Sequence, residues 1–115
     1  MKNSIDIPDL FNRVSDNKEF AHRMLTTFFE SYKERYDQLE KDLKEEKFDE
    51  LADGAHQLKG ILGNLSIPEG FDLLKTVHSE ARLNNSAKLV GLLKKLDKSI
   101  LKAEKFFNEN QEIFN

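Results

Sequence analysis

The stretch from Lys18 to Glu45 contains neither glycine nor proline, and this constrains the fold more than any other feature of the sequence. Apolar side chains recur through it every three or four residues, the repeat of one helix face. A single helix of roughly 25 residues is predicted, close to 40 Å long at about 1.5 Å per residue. The residues of the stripe are Phe20, Met24, Leu25, Phe28, Phe29, Tyr32, Tyr36, Leu39 and Leu43.

Four further helices are predicted around this long one. A short helix covers residues 7–14, with Pro8 in its first turn, and others cover residues 48–65, 66–84 and 86–107. Their connections are a few residues long, which favours antiparallel neighbours. The predicted fold is therefore all-α, an antiparallel up-down-up-down four-helix bundle with a short additional N-terminal helix. Their inner faces comprise Ile7, Leu10, Phe11, Val14, Phe48, Leu51, Ala52, Ala55, Leu58, Leu62, Leu65, Phe71, Leu74, Val77, His78, Ala81, Leu89, Leu93, Leu96, Ile100, Ala103 and Phe107.

Polar residues at the predicted helix starts indicate caps. The segment Ser15-Asp16-Asn17 offers capping oxygens to the long helix. Ser66 and Glu69 have the Ser-x-x-Glu spacing of a capping box at the start of the fourth helix. Ser86 is suited to cap the fifth helix.

The chain is expected to form one domain. No internal repeat or low-complexity tract divides residues 1–115, and the core of the bundle is predicted at about 5–107. The segment from 108 to 115 is polar apart from Ile113 and Phe114, so we expect this tail to fray.

Composition excludes several classes of protein. The sequence has no cysteine, which rules out disulfides and thiolate metal sites, and no apolar run approaches the roughly 20 residues that span a bilayer. The formal net charge is −3, with lysines interleaved among acids, which argues against binding to nucleic acid. We expect a cytoplasmic monomer that binds neither nucleic acid nor membrane.

The most informative run lies in the predicted third helix. At about 100° per residue, His56 lies roughly 120° from the centre of the apolar stripe, so its ring can reach water. Lys59, Gly60 and Gly63 follow it by three, four and seven residues and share its side of the helix. An exposed imidazole is a usable nucleophile near neutral pH, an ammonium nearby can pair with an attached anion, and glycines let a large partner approach. This combination suits a phosphoryl acceptor whose donor is another protein.

The run Ala55-His56-Gln57-Leu58-Lys59-Gly60, followed by Asn64-Leu65, resembles the signature of the histidine phosphotransfer (HPt) family. The short entry helix, the aromatic second helix ending near Phe48-Asp49 and the Glu80-Ala81-Arg82 stretch are also similar to that family. The resemblance covers roughly residues 5 to 107.

The resemblance implies a role for each matching residue. His56 would be phosphorylated on its outer ring nitrogen, Lys59 would stabilise the phosphate, and Gly60 would leave room for the partner. The sequence departs from the family after the Lys-Gly pair, where Ile61 replaces a small hydroxyl residue and Gly63 follows. Ile61 is predicted to point away from the core, so that Ile61 and Gly63 join Gly60 in contacting the partner.

The resemblance also implies the partners and the chemistry. Members of the family take a phosphoryl group from the aspartyl phosphate of one response-regulator receiver domain and pass it to another receiver. A hybrid sensor kinase is a further possible partner. Such a protein is a phosphocarrier without kinase activity, and therefore no enzyme. No cofactor and no metal ion is expected on this chain, since the Mg²⁺ required for transfer belongs to the receiver.

The other two histidines have different predicted roles. His78 falls near the position where the family places a polar side chain that hydrogen-bonds the phosphorylated imidazole. It would either assist His56 there or be a packed histidine satisfied inside the bundle. His22 lies among charged neighbours on the second helix and is predicted to be a surface residue.

Alternative functions find less support in the sequence. The three histidines form no His-Glu-x-x-His motif, and Glu19-x-x-His22 is a single copy of the spacing that di-iron bundles use in pairs. There is no Gly-x-Ser-x-Gly motif of a hydrolase and no glycine-rich phosphate loop. The strongest competitor is a helical adaptor that binds a signalling partner without being phosphorylated. A third possible function, within the same family, is that of a domain phosphorylated directly by an ATP-binding module.

Overall fold

The computed structural model describes residues 4–115, and all regular structure in this range is helical. The elements are, in chain order, α1 (Ile7–Arg13), α2 (Lys18–Lys44), α3 (Phe48–Asn64), α4 (Pro68–Arg82), α5 (Ser86–Glu109) and a C-terminal 3-10 helix (Gln111–Phe114). Helix α3 packs on α4, α4 on α5, and α2 on both α3 and α5, which closes a four-helix bundle. Helix α1 is the short additional helix, so the predicted architecture is confirmed.

Helix α2 is the long element that the sequence predicts. Its N-terminus is capped by Asn17, whose side-chain oxygen accepts a hydrogen bond from the backbone N–H of Phe20 at 3.0 Å. Midway along the helix, the Tyr32 hydroxyl donates to Asp97 at 3.0 Å and the Tyr36 hydroxyl donates to the Leu93 carbonyl at 3.0 Å. These two bonds tie α2 to α5 and satisfy the polar ends of a mainly apolar stripe.

The predicted inner faces meet in one hydrophobic core. Ala55, Leu58 and Leu62 of α3 are at most 1% exposed, and they lie opposite the side of the helix that carries His56. One member of the predicted α2 stripe lies outside the core: Phe20, in the first turn of α2, is 43% exposed. Burial of α3 along one side therefore fixes which of its residues face the solvent.

The turns between the helices use residues other than glycine. Each of the four interhelical connections has a non-glycine residue with positive φ: Asp16, Glu46, Ser66 and Asn84, with Ser15 beside the first. All five glycines lie within helices instead, and none has a positive φ. The glycines must therefore be explained by close approach or open space beside a helix.

Two predicted caps are wrong. Pro68 is the first residue of α4, so Ile67 takes the N-cap position, and α4 has no side-chain cap. Ser66 lies one residue further out, at φ 58°, and its hydroxyl donates to Asp9 of α1 at 2.6 Å instead. Helix α5 is capped by Asn85, whose side-chain oxygen accepts a hydrogen bond from the backbone N–H of Lys88, so that Ser86 is already helical.

The tail does not fray as predicted. It forms the 3-10 helix, and Phe114 is only 8% exposed, with its ring 5.4 Å from that of Phe107 and 5.8 Å from that of Phe11. His22 is consequently half-buried rather than a surface residue, since its ring lies 5.6 Å from Phe114 and its Nε2 is within hydrogen-bond distance of Gln111. The core thus extends beyond residue 107.

Candidate functional site

His56 is exposed on α3, as the helical spacing predicts. It lies near the middle of a helix whose opposite side is anchored by Leu58 and Leu62. A histidine held in this way presents its ring to the solvent from a rigid backbone, without any loop. The position therefore combines access for a large partner with a fixed direction of approach.

His78 of α4 lies beside His56 of α3. The centroids of the two rings are 5.7 Å apart, and the ring planes are inclined by 48°. His78 is half-buried, whereas His56 is exposed. The structure therefore brings together two residues that are far apart in the sequence and makes His78 the nearest aromatic neighbour of the His56 ring.

The surroundings of the two histidines are mainly cationic. The pKa of His78 is lowered from its ordinary value, first by partial burial and then by the positive charges of Arg82, His56 and Lys59, while Asp53 acts in the opposite direction. These surroundings thus favour a neutral His78 ring. An anion bound beside His78 would be attracted by the positive charges of Lys59 and Arg82.

Lys59 is positioned by an aromatic ring. Its Nζ lies 5.8 Å from the centre of the Phe71 ring, within the range of a cation–π contact, and its side chain is half-buried. Phe71 therefore supports the lysine one turn after His56, on the same side of α3. An ammonium held there needs less ordering than a free surface lysine when an anion arrives.

The glycines of α3 have different surroundings. A methyl group added to Gly60 would find no atom within 4 Å, so this position opens directly onto the solvent beside His56. A methyl group on Gly63 would lie 3.4 Å from the Phe71 ring, in ordinary van der Waals contact. Gly60 therefore leaves a gap in the surface, whereas the space beside Gly63 is partly filled by α4.

Ile61 does not point away from the core as predicted. It is half-buried and packs against the core, because it faces the neighbouring α2. With Leu65 it forms one wall of an open groove, whose other wall is made by Phe20, Met24 and Phe28. Arg23 and Arg35 lie along the same groove, so a mainly apolar surface adjoins the helix that carries His56.

Sequence reasoning missed three residues that shape the site: Phe71, Arg82 and Gly70. Phe71 was predicted to be an inner-face residue only, and Arg82 follows His78 by one helical turn, which was the available signal. Gly70 lets α3 and α4 approach, since a methyl group there would lie 2.6 Å from Leu62 Cδ1. Only a structure that pairs the two helices reveals this contact.

The arrangement suits nucleophilic chemistry on an anionic group. It has an exposed imidazole, a second imidazole, two nearby cations and open space at Gly60. Within residues 4–115, no three His, Cys, Asp or Glu side chains cluster as a metal site would require. None of the helices in the same range combines the length and apolar character needed to cross a bilayer.

Comparison with known proteins identifies a family to which most of this chain is similar. The family model described as Hpt domain matches residues 23–109, a range that contains all of α3, α4 and α5 and most of α2. His56, Lys59, Gly60 and His78 all lie within the matched range. No curated protein and no solved structure gives a significant match.

Proposed function

Because the chain belongs to the Hpt domain family, whose members act in phosphotransfer in two-component signalling, we propose that it is a phosphorelay carrier. It accepts a phosphoryl group on His56 from the aspartyl phosphate of one receiver domain and passes it to another. It has no kinase activity of its own, and the Mg²⁺ for transfer is held by the receiver. The observation that carries this proposal is the exposed His56 ring with Lys59 and the open Gly60 beside it.

The proposed reaction exchanges one bond for another. The lone pair of the outer nitrogen of His56 attacks phosphorus, the N–P bond forms, and the P–O bond to the receiver's aspartate breaks to leave a carboxylate. The proton on the other ring nitrogen stays in place, so no net proton transfer is required. A phosphorus–nitrogen bond resembles an aspartyl phosphate in its high energy, and the reverse reaction to a second receiver is therefore accessible.

Lys59 has an electrostatic role in this proposal. A phosphoryl group on His56 carries about −1.5 to −2 charges near pH 7. The ammonium of Lys59, held over the Phe71 ring, can pair with that charge while the group is in transit and after it is attached. Charge and positioning supply the catalysis on this side, as is usual for phosphoryl transfer.

The groove between α2 and α3 extends the proposed docking surface. Its apolar residues include Ile61 and the exposed Phe20, and one of its walls belongs to α3, the helix that carries His56. We assign this groove to the receiver, because a receiver that places its aspartate over His56 must also cover the neighbouring part of α3. Arg23 and Arg35 give the groove a positive charge that would favour acidic residues on the partner.

The test is transfer from receivers precharged on their aspartate, in the presence of Mg²⁺. We expect labelled phosphate to move to this chain and then to a second, uncharged receiver. The phosphate on this chain should be acid-labile and base-stable, which distinguishes phosphohistidine from phosphoserine. Failure to accept phosphate from any of a broad panel of receivers would overturn the proposal and favour the non-phosphorylated adaptor.

Gly60 provides a second prediction with a matched control. Side chains of a helix lean toward its N-terminus, so Gly60→Gln would cover part of the surface beside His56. Gly91 of α5 is the control, since it is also exposed and also has no atom within 4 Å of an added methyl group. Both Gly→Gln variants should gain about 0.5–1 kcal/mol in free energy of unfolding, because glycine weakens a helix. Only Gly60→Gln should slow transfer, by about tenfold or more, a loss of about 1.4 kcal/mol in the transition state.

For Gly60→Gln and Gly91→Gln, urea unfolding measures the change in stability, and the rate of transfer at limiting receiver concentration measures the change in activity. Equal transfer rates for the two variants would show that the partner does not approach over Gly60. A slow Gly91→Gln variant would instead indicate that the receiver contacts α5.

A further inference from the structure

The ring of His78 is placed so that it must respond to a charge on His56. The two rings lie 5.7 Å apart, and no other histidine ring adjoins His56. The titratable and charged groups that face His78 are Arg82 on its own helix and His56, Lys59 and Asp53 on α3. Positive groups outnumber the single carboxylate, so a proton on His78 is disfavoured before phosphorylation.

We propose that His78 takes up a proton when His56 is phosphorylated, so that the phosphoryl group remains on this protein more readily as the pH falls. The inference rests on the proposed function for its biological meaning. It assigns His78 a positioning and charge-balancing role rather than a chemical step. The proton comes from the solvent after transfer, and no bond to phosphorus involves His78.

Phosphorylation offsets the local positive charge. A phosphoryl group brings about two negative charges. The ring of His56 becomes cationic because it keeps its N–H proton, so the net change at the site is about one negative charge. At a separation of about 6 Å and an effective dielectric constant of about 20, two unit charges interact strongly enough to shift a pKa by one unit or more. The partial burial of His78 limits screening by water and salt. His78 should therefore hold a proton more readily in the phosphorylated carrier than in the free carrier.

The direction of the pH effect follows from proton linkage. Between the two pKa values of His78, the phosphorylated protein binds more protons than the free protein. The lower value lies below the ordinary 6.5 of histidine, because burial and the neighbouring cations depress it. Lowering the pH through this window therefore favours the phosphorylated form, by up to about tenfold in the transfer equilibrium for each unit of pKa shift.

The first experiment measures the proton directly. His56 is phosphorylated chemically with phosphoramidate, which transfers phosphate to imidazoles without any receiver, and the ring C–H resonances of His78 are titrated by NMR. We expect the midpoint of His78 to rise by about one pH unit on phosphorylation. His22 is the internal control: it packs against Phe107 and Phe114 at another part of the molecule, and its midpoint should not move. An unchanged His78 midpoint in protein with verified phosphate on His56 would overturn the inference.

The second experiment compares the transfer equilibrium of wild type and His78→Gln at about pH 6 and about pH 8. Glutamine keeps a hydrogen-bonding side chain at this position but cannot titrate, so the difference between the proteins isolates the proton on His78. We expect the equilibrium of wild type to move toward the phosphorylated carrier about fivefold more than that of the variant as the pH falls. A parallel pH dependence would contradict the inference even though transfer itself succeeded. Loss of receiver transfer with a raised His78 midpoint would contradict only the proposed function.

Discussion

Replacing His56 with glutamine should abolish phosphorylation of this chain by charged receivers. Glutamine has no nucleophilic ring nitrogen, and the two remaining histidines are unsuited to replace it: His22 is half-buried under the C-terminal segment, and His78 is half-buried between α3 and α4. The transfer rate should fall below detection, a loss of at least about a thousandfold. The effect is measured as the labelled phosphate that stays with the protein after gel separation. The mass of the intact protein gives a second measurement of the attached phosphate.

The same variant should remain folded. His56 is exposed, and exposed substitutions away from caps and cores change the free energy of unfolding by about 0.5 kcal/mol or less. Circular dichroism and urea unfolding therefore serve as the control for the loss of transfer. Phosphate on the folded variant would contradict the assignment of His56, and mapping it to His78 would move the nucleophile to α4.

Replacing Leu62 of α3 with alanine should reduce the stability of the fold but leave the folded protein able to accept phosphate, the opposite of the result expected for His56→Gln. Leu62 is 0% exposed and packs between α3 and α4, so truncation leaves a cavity and should cost about 3–4 kcal/mol in free energy of unfolding. This is a large share of the about 5–15 kcal/mol that holds a domain of this size folded. Urea denaturation monitored by helicity measures it, and a cost below about 1 kcal/mol would contradict the packing. At low urea, the folded fraction of this variant should still accept phosphate.

The contact between Leu62 and position 70 can be tested by a double-mutant cycle that combines Leu62→Ala with Gly70→Ala. A methyl group at position 70 would lie 2.6 Å from Leu62 Cδ1 and 3.2 Å from Ile100 Cδ1, so alone it should destabilise the bundle. In the Leu62→Ala background the nearer atom is gone and the methyl group can enter the space. The double variant should be more stable than the sum of the single effects predicts, by about 1 kcal/mol or more. Additive effects would mean that the two positions do not meet.

Much of the bundle could be predicted because its patterns are local. The stripe of α2 and the run of leucines from Leu89 to Leu96 repeat often enough to set both the helix and its buried side. The exposure of His56 follows from the same count around α3, and the family match supports the bundle that the periodicity predicts.

The errors occur where contacts between distant segments decide the outcome. The capping box at Ser66 has the right spacing, but Pro68 begins α4, and Asp9 of α1 accepts the serine hydroxyl instead. Phe114 follows a polar stretch, and nothing local reveals that Phe11 and Phe107 leave a place for its ring. His22 was misjudged for the same reason, since the segment that covers it comes from the other end of the chain.

The pairing of His56 with His78 depends both on a local pattern and on a contact between distant segments. Periodicity places His56 on an exposed face, but the distance between the rings depends on how closely α3 approaches α4. That approach depends on Gly70, whose missing side chain admits Leu62. A glycine within a helix gives no local indication of the neighbour it accommodates.

The residues proposed for the site lie entirely on helices, with His56, Lys59 and Gly60 on α3 and His78 on α4. A surface made only of helical residues has little capacity to change its conformation for different partner proteins. In the proposed relay, donor and acceptor receivers would therefore have to recognise the same rigid surface, and a single imidazole would admit only one of them at a time. Selectivity would then arise from differences among the receivers, and the throughput of the relay from their competition: abundance and residence time decide which receiver occupies His56 next.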